Sequence, residues 1–219
     1  MRERPILFNG AMVRAILGGK KTQTRRAVKG TALDWLGKAQ FTPEYVASPG
    51  NDLCPFGQPG DRLWVRETTQ IDRTTSDSAE LARYCADQEP VCYPIGTGNG
   101  YDGAWQLWWY SRDTCPKIHM PRSACRLELE ITGVRVERLQ SISRADSLAE
   151  GIHSYPHHWR DCEYPLPDVA YEPVPGSEHR YSSPVAAFRA LWIDTGGDWD
   201  SNPWVWVIEF NRIREVSHG

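Results

Sequence analysis

The stretch Ile16 to Arg26, ILGGKKTQTRR, sets four cations (Lys20, Lys21, Arg25, Arg26) and two hydroxyls (Thr22, Thr24) directly behind a double glycine. A plain surface turn needs one glycine and one polar residue, so this density of charge reads as a place where a ligand is held. A basic turn of this kind binds phosphate whether or not chemistry follows. Arg66 and Glu67 in LWVRET are the next candidates, because neighbours on a strand point to opposite faces and one of the two charges must meet a ligand or a partner charge. His119 and Arg122 of IHMPRSACR, with Pro121 fixing the turn, suit contacts to a phosphate or a ribose. Trp105, Trp108, Trp109 and Tyr110 either stack on bases or form a hydrophobic plug. His157-His158 with Cys162 invites a zinc reading, but adjacent histidines point apart and no second ligand pair has finger-like spacing, so no metal is expected. Nor does the sequence call for a cofactor.

Composition narrows the class of protein. A chain of 219 residues, 40% hydrophobic and 11% aromatic, is long enough to bury a core, and ten tryptophans beside sixteen prolines suggest a folded body carrying long polar loops. The net charge of −3 hides an asymmetry: residues 1 to 30 hold eight Lys and Arg against Glu3 alone, net +7, which leaves −10 for the rest. A basic segment on an acidic protein steers anionic ligands, or is simply a solvated face. Six cysteines at 54, 85, 92, 115, 125 and 162 form no C-x-x-C pair, and MRERPILFNG is too charged for a secretory leader. The apolar runs are much shorter than the roughly 20 residues that span a bilayer. A soluble, cytoplasmic protein with reduced thiols and no membrane partner is expected; its oligomeric state is open.

Several elements must position these residues. Asn9 caps a helix with Met12, Val13, Ile16 and Leu17 on its apolar face, and Gly18-Gly19 stops it. Lys20 to Arg26 then leaves as a strand. Residues 29 to 60 read as loop and turn, and LWVRETT at 63 to 69 as a half-buried strand. Residues 70 to 118 read as an excursion, with a helix around Ser78 to Cys85 and a short strand at the tryptophans. Leu127, Leu129 and Ile131 alternate with charges, and beyond Gly133 the apolar parity changes to Val134 and Val136, the signature of a bulge that bends a strand. Ser143 to Asp146 resembles a capping box for a helix ending at Glu150-Gly151. Residues 153 to 183 read as a long loop, Ser183-Pro184 opens a helix that stops at Gly196-Gly197, and WVWVIEF at 204 to 210 is a central buried strand. The order predicts an α+β fold: one small, strongly bent mixed sheet or barrel with helices at its ends.

GKKTQTRR resembles the G-x-K-T-x-x-x-R signature of the ASCH domain, a relative of the PUA fold. GDRLWVRE, RLELEITGVRVERL, ISRADSLAEGI and WVWVIEF follow in that family's order, and together the matches cover about half of the chain. RPILFNGAMVRAILGGKKTQTRR, RLWVRET, IHMPRSACR and NPWVWVIEF look most like the larger ASCH-like proteins of bacteriophages and prophages. The resemblance implies a single PUA-like domain over 1-219, with insertions near 31-56, 70-118 and 153-183.

Within that superfamily, the bacterial N4-acetylcytidine amidohydrolase carries its catalytic lysine and threonine in a matching segment, which implies Lys21 and Thr24. Its glutamate near a helix end implies Glu150. An amide hydrolase of this type needs a nucleophile, a base, an acid for the leaving nitrogen and a cation for the oxyanion. Lys21 serves as base if Lys20, Arg25, Arg26 and partial burial lower its pKa, and Thr24 is then the nucleophile, with Thr22 the competing hydroxyl. Lys21 and Thr24 are an odd number apart, so Lys21 must lie in the turn or curl over. Glu150, at the negative end of its helix, suits the acid. The expected activity is hydrolysis of an acylated pyrimidine nucleoside or nucleotide, with Lys20, Thr22, Arg26, Arg66, Glu67, His119 and Arg122 around the ligand. A non-catalytic reader of RNA or a modified base, and a ribonuclease using Glu67 or Glu150, remain open alternatives.

Overall fold

The computed structural model describes residues 1–72, 81–91, 113–156 and 169–213. The tryptophan cluster at 105–110 and the His157-His158-Cys162 group lie outside them.

In chain order the elements are β1 (Glu3–Leu7), α1 (Gly10–Leu17), β2 (Gln23–Ala27), α2 (Thr31–Leu36), α3 (Pro43–Ala47), β3 (Arg62–Arg66), β4 (Thr69–Asp72), β5 (Leu81–Tyr84) and β6 (Thr114–Cys115). They continue as β7 (Glu128–Arg138), α4 (Arg144–Ala149), β8 (His153–Pro156), β9 (Val169–Glu172), α5 (Pro184–Asp194) and β10 (Trp204–Arg212). The main sheet is mixed and runs β1-β3-β7-β10-β2. Only β1 and β3 pair in parallel; the other ladders are antiparallel.

The expected bend in β7 is present. Phe210 pairs with Ile131 and Glu209 with Gly133, so Thr132 is an extra residue on β7 at the point where the apolar parity changes. The sheet curls until its two edge strands approach, and the Arg26 side chain donates to the Leu7 carbonyl at 2.7 Å. Among the described residues no backbone ladder joins β1 to β2, so this side chain spans the gap between the edges.

β10 is buried on both faces, as its unbroken apolar run requires. Trp206, Ile208 and Phe210 enter a core shared with Phe8, Val13, Ile16, Leu63 and Leu129. Val205 and Val207 enter a second core with Phe188, Leu191 and Ile152, beneath α4 and α5. Helix α1 is capped by Asn9, which accepts from the Met12 amide at 2.8 Å, and α4 carries the full Ser143–Asp146 capping box.

Three expectations change. Residues 29 to 60 are not all loop: α2 and α3 lie there, the second started by Thr42 accepting from the Tyr45 amide with Pro43 in its first turn. Helices of five or six residues are too short to write an apolar period into the sequence. Leu81–Tyr84 is strand β5, not helix, paired with β4; Ala82 and Tyr84 are both 2% exposed, so the segment alternates with period two. Within 153 to 183, β8 and β9 pair as an antiparallel ribbon.

No described helix is long and apolar enough to cross a membrane.

Candidate functional site

The double glycine explains how the basic segment is presented. Gly19 adopts φ +68°, a left-handed conformation open to glycine at little cost, and turns the chain back so that the Lys20 and Lys21 amides both donate to the Ala15 carbonyl, at 2.8 and 3.1 Å. The cations thus leave α1 at a fixed point. Thr22 ties two neighbours together, its amide to the Ala149 carbonyl and its carbonyl to the Phe210 amide, both at 2.8 Å. Lys21 consequently lies beside the end of α4 and forms an isolated antiparallel bridge with Glu150.

The Lys21 side chain is fully buried. Its Nζ donates to Glu150 Oε2 at 2.7 Å and to the Glu150 main-chain carbonyl at 2.8 Å. Arg25 Nη1 donates to the other carboxylate oxygen, Oε1, at 3.0 Å. Each oxygen of Glu150 therefore meets one cation. Burial pushes the Lys21 ammonium below the ordinary lysine value; Glu150 pulls the other way, and Arg26 and Arg25 add to the depression. A lysine whose proton is loosened by burial and by two guanidiniums, with a carboxylate in hydrogen-bond contact, can act as a base. Burial likewise lowers Arg26, against the pull of Glu150.

Parity along β2 sorts the remaining groups. Thr24 and Arg26 stand opposite Ile208 and Trp206, which face the first core, whereas Gln23 and Arg25 face α4. Gln23 Nε2 donates to the Asp146 carbonyl at 2.9 Å. Arg25 Nη2 meets Glu137 at 2.5 Å and lies 3.6 Å from Asp146, with the guanidinium over the Phe188 ring at 5.8 Å. Lys21 precedes the regular part of the strand and escapes this alternation. Its Nζ lies 5.8 Å from the Phe8 ring, the same ring that Arg26 covers at 5.3 Å, which brings the amine toward the face that carries Thr24. Thr24 is buried and Thr22 exposed, so the two hydroxyls occupy different environments.

Of the other sequence candidates, Lys20 lies at the margin with Nζ 3.0 Å from His153 Nδ1. Glu67 is buried and held bidentately by Arg126 at 2.9 Å on both oxygens; Arg126 also grips Asp87 and stacks 3.8 Å above the Tyr84 ring. Burial pushes the Glu67 carboxyl up, opposed by Arg126. This pairing fastens the β4–β5 hairpin to the end of β3. Arg66 donates to the Ile118 carbonyl and packs over Trp64. Arg122 is exposed and pairs with Glu3 and Glu128, and His119 is exposed in the one-turn helix Lys117–His119. The structure thus brings Lys21 and Arg26 over the Phe8 ring and joins Lys21 and Arg25 to Glu150, sets Thr24 buried on the Arg26 face of β2, and leaves Glu67 and Arg122 in ion pairs of their own.

Phe8 and the Glu150 contact of Arg25 were not read from the sequence. A signal for Arg25 lies in its adjacency to Arg26, since two neighbouring arginines on a strand buried on both sides must each find a partner on a different face. Among the described residues no group of three or more His, Cys, Asp or Glu is placed to hold a metal.

No family model matches the chain. No curated protein matches it either. Among solved structures the chain is similar to one described as a high resolution crystal structure of an ASCH domain from Lactobacillus crispatus JV V101, at 12% identity over 96% of this chain and 79% of that one, with a TM-score of 0.36.

Proposed function

We propose that this chain is an ASCH-type protein of PUA-like, barrel-related fold that hydrolyses an acylated pyrimidine nucleoside or nucleotide, with Thr24 as nucleophile, Lys21 as base and Glu150 as acid. The observation that carries the reading is the buried Lys21–Glu150 contact of 2.7 Å, in which the lysine proton is loosened by burial. Burial narrows the free-energy gap between a charged pair and its neutral amine–acid form, and the reaction starts from the second.

From the neutral form, Lys21 takes the Thr24 hydroxyl proton as Oγ bonds to the acyl carbon. The ammonium so formed on Lys21 then faces the developing oxyanion. The acyl C–N bond breaks as Glu150 gives its proton to the departing nitrogen, which leaves Thr24 acylated and the pyrimidine amine free. Water then attacks the ester; its proton passes to Glu150, the carboxylic acid leaves, and Thr24 recovers a proton from Lys21.

A non-catalytic RNA or base reader would use the same cations, and the doubly hydrogen-bonded Lys21 also serves to clasp α4 to the sheet. Thr24→Ala separates the two: it abolishes acyl release in an amidohydrolase while leaving ligand affinity near wild type, whereas Arg26→Ala weakens binding in both. Acyl release that persists in Thr24→Ala removes Thr24 as nucleophile.

A further inference from the structure

Around the Lys21–Glu150 pair the charges do not cancel. Among the described residues Glu150 is the one carboxylate that acts on Arg26, and both of its oxygens are already engaged, by Lys21 and by Arg25. Glu137 and Asp146 answer Arg25 on the α4 side of β2, the face opposite Arg26. Arg26 itself donates through Nη2 to the Leu7 carbonyl at 2.7 Å.

A second cation is brought to the same edge. Leu7 stands opposite Arg66 in the parallel β1–β3 register, and Arg66 donates to the Ile118 carbonyl, which holds the one-turn helix Lys117–His119 to the end of β3, the strand next to β1. Lys117, next to Ile118, is thereby held half-buried at the strand end whose Leu7 carbonyl takes the Arg26 guanidinium. Burial and the Arg26 charge both depress its ammonium. The buried Nε of Arg66 has no hydrogen-bond partner, a further donor at this edge. Among the described residues no carboxylate forms an ion pair with Arg26 or Lys117. Two half-buried cations kept together without an anion between them are unfavourable unless a ligand supplies it, and a guanidinium fork beside an ammonium matches a phosphate.

We propose that Arg26 and Lys117 form a phosphate-binding subsite beside the Lys21–Glu150 pair, so that the substrate is a phosphorylated nucleoside, either a free nucleotide or a residue within RNA. The identity of the base rests on the hydrolytic reading above; the phosphate grip rests on its own residues.

The test is calorimetric titration of wild type and of Lys117→Ala with cytidine, cytidine 5′-monophosphate, inorganic phosphate and a cytidine-containing RNA oligomer. Wild type binds the monophosphate about tenfold more tightly than cytidine, the increment of one charge-assisted contact, and Lys117→Ala erases the difference at an unchanged melting temperature. Lys117→Gln, which keeps the apolar stem, gives the same loss. Inorganic phosphate competes with the monophosphate in wild type only. Oligomer binding that is tighter and equally dependent on Lys117 assigns a phosphodiester, and the reverse order assigns a monoester. Equal affinity for cytidine and its monophosphate, or a preference that survives both variants, overturns the subsite. Lys117-dependent phosphate binding without any acyl release leaves the subsite standing and removes the hydrolytic reading alone.

Discussion

Lys21 and Glu150, separated by 129 residues, are joined twice: one ammonium donates to the glutamate carboxylate at 2.7 Å and to the same residue's main-chain carbonyl at 2.8 Å. The second bond makes the geometry independent of the Glu150 rotamer, because the carbonyl belongs to the end of α4 and moves only with the helix. Arg25 on the other carboxylate oxygen completes the arrangement.

Removing one member of a buried pair strands the other. Lys21→Met and Glu150→Gln are each expected to lower unfolding free energy by about 3 kcal/mol, and the double variant by clearly less than the sum. Urea denaturation of the four proteins measures this coupling, and strictly additive losses would show that the two groups do not depend on each other.

The direction of the Lys21 shift fixes a pH dependence. Its folded pKa lies below the ordinary 10.5, so between those values the unfolded chain binds more protons than the folded one. Stability contributed by Lys21 therefore rises with pH across that window and is flat below it. The melting temperature of wild type minus that of Lys21→Met should grow as pH climbs toward 10.5. A difference that shrinks over the same range would reverse the sign assigned here.

Gly151 sits against this lysine with φ +95°, and a Cβ there would lie 3.1 Å from the Cβ atoms of both Lys21 and Ala15. Gly151→Ala is expected to cost roughly 1–3 kcal/mol in stability from backbone strain and crowding. It should also reduce any Lys21-dependent activity, since the lysine stem is what must yield. Thermal melting and turnover of this one variant check both expectations, and an unchanged melting temperature would contradict the packing.

The elements that were legible in the sequence announce themselves locally. Asn9 and Gly18-Gly19 bracket α1, Ser143 and Asp146 open α4, Ser183-Pro184 opens α5, and the parity change at Gly133 coincides with the extra residue on β7. What was not legible depends on contacts across long sequence distances. Glu67 finds Arg126 59 residues on, and Arg25 finds Glu137 112 residues on, with no periodicity to mark either. Burial of β2 on both faces also hid which of its charges faces which core. Short helices such as α3 and the hairpin strand β5 are decided by tertiary packing more than by propensity.

The most direct test of the account is chromatographic detection of cytidine and acetate released from N4-acetylcytidine and its 5′-monophosphate by wild type and Lys21→Ala. The account predicts turnover of at least one of the two by wild type, reduced about a hundredfold or more in the variant. No release by folded wild type, or equal rates in the two proteins, would contradict it.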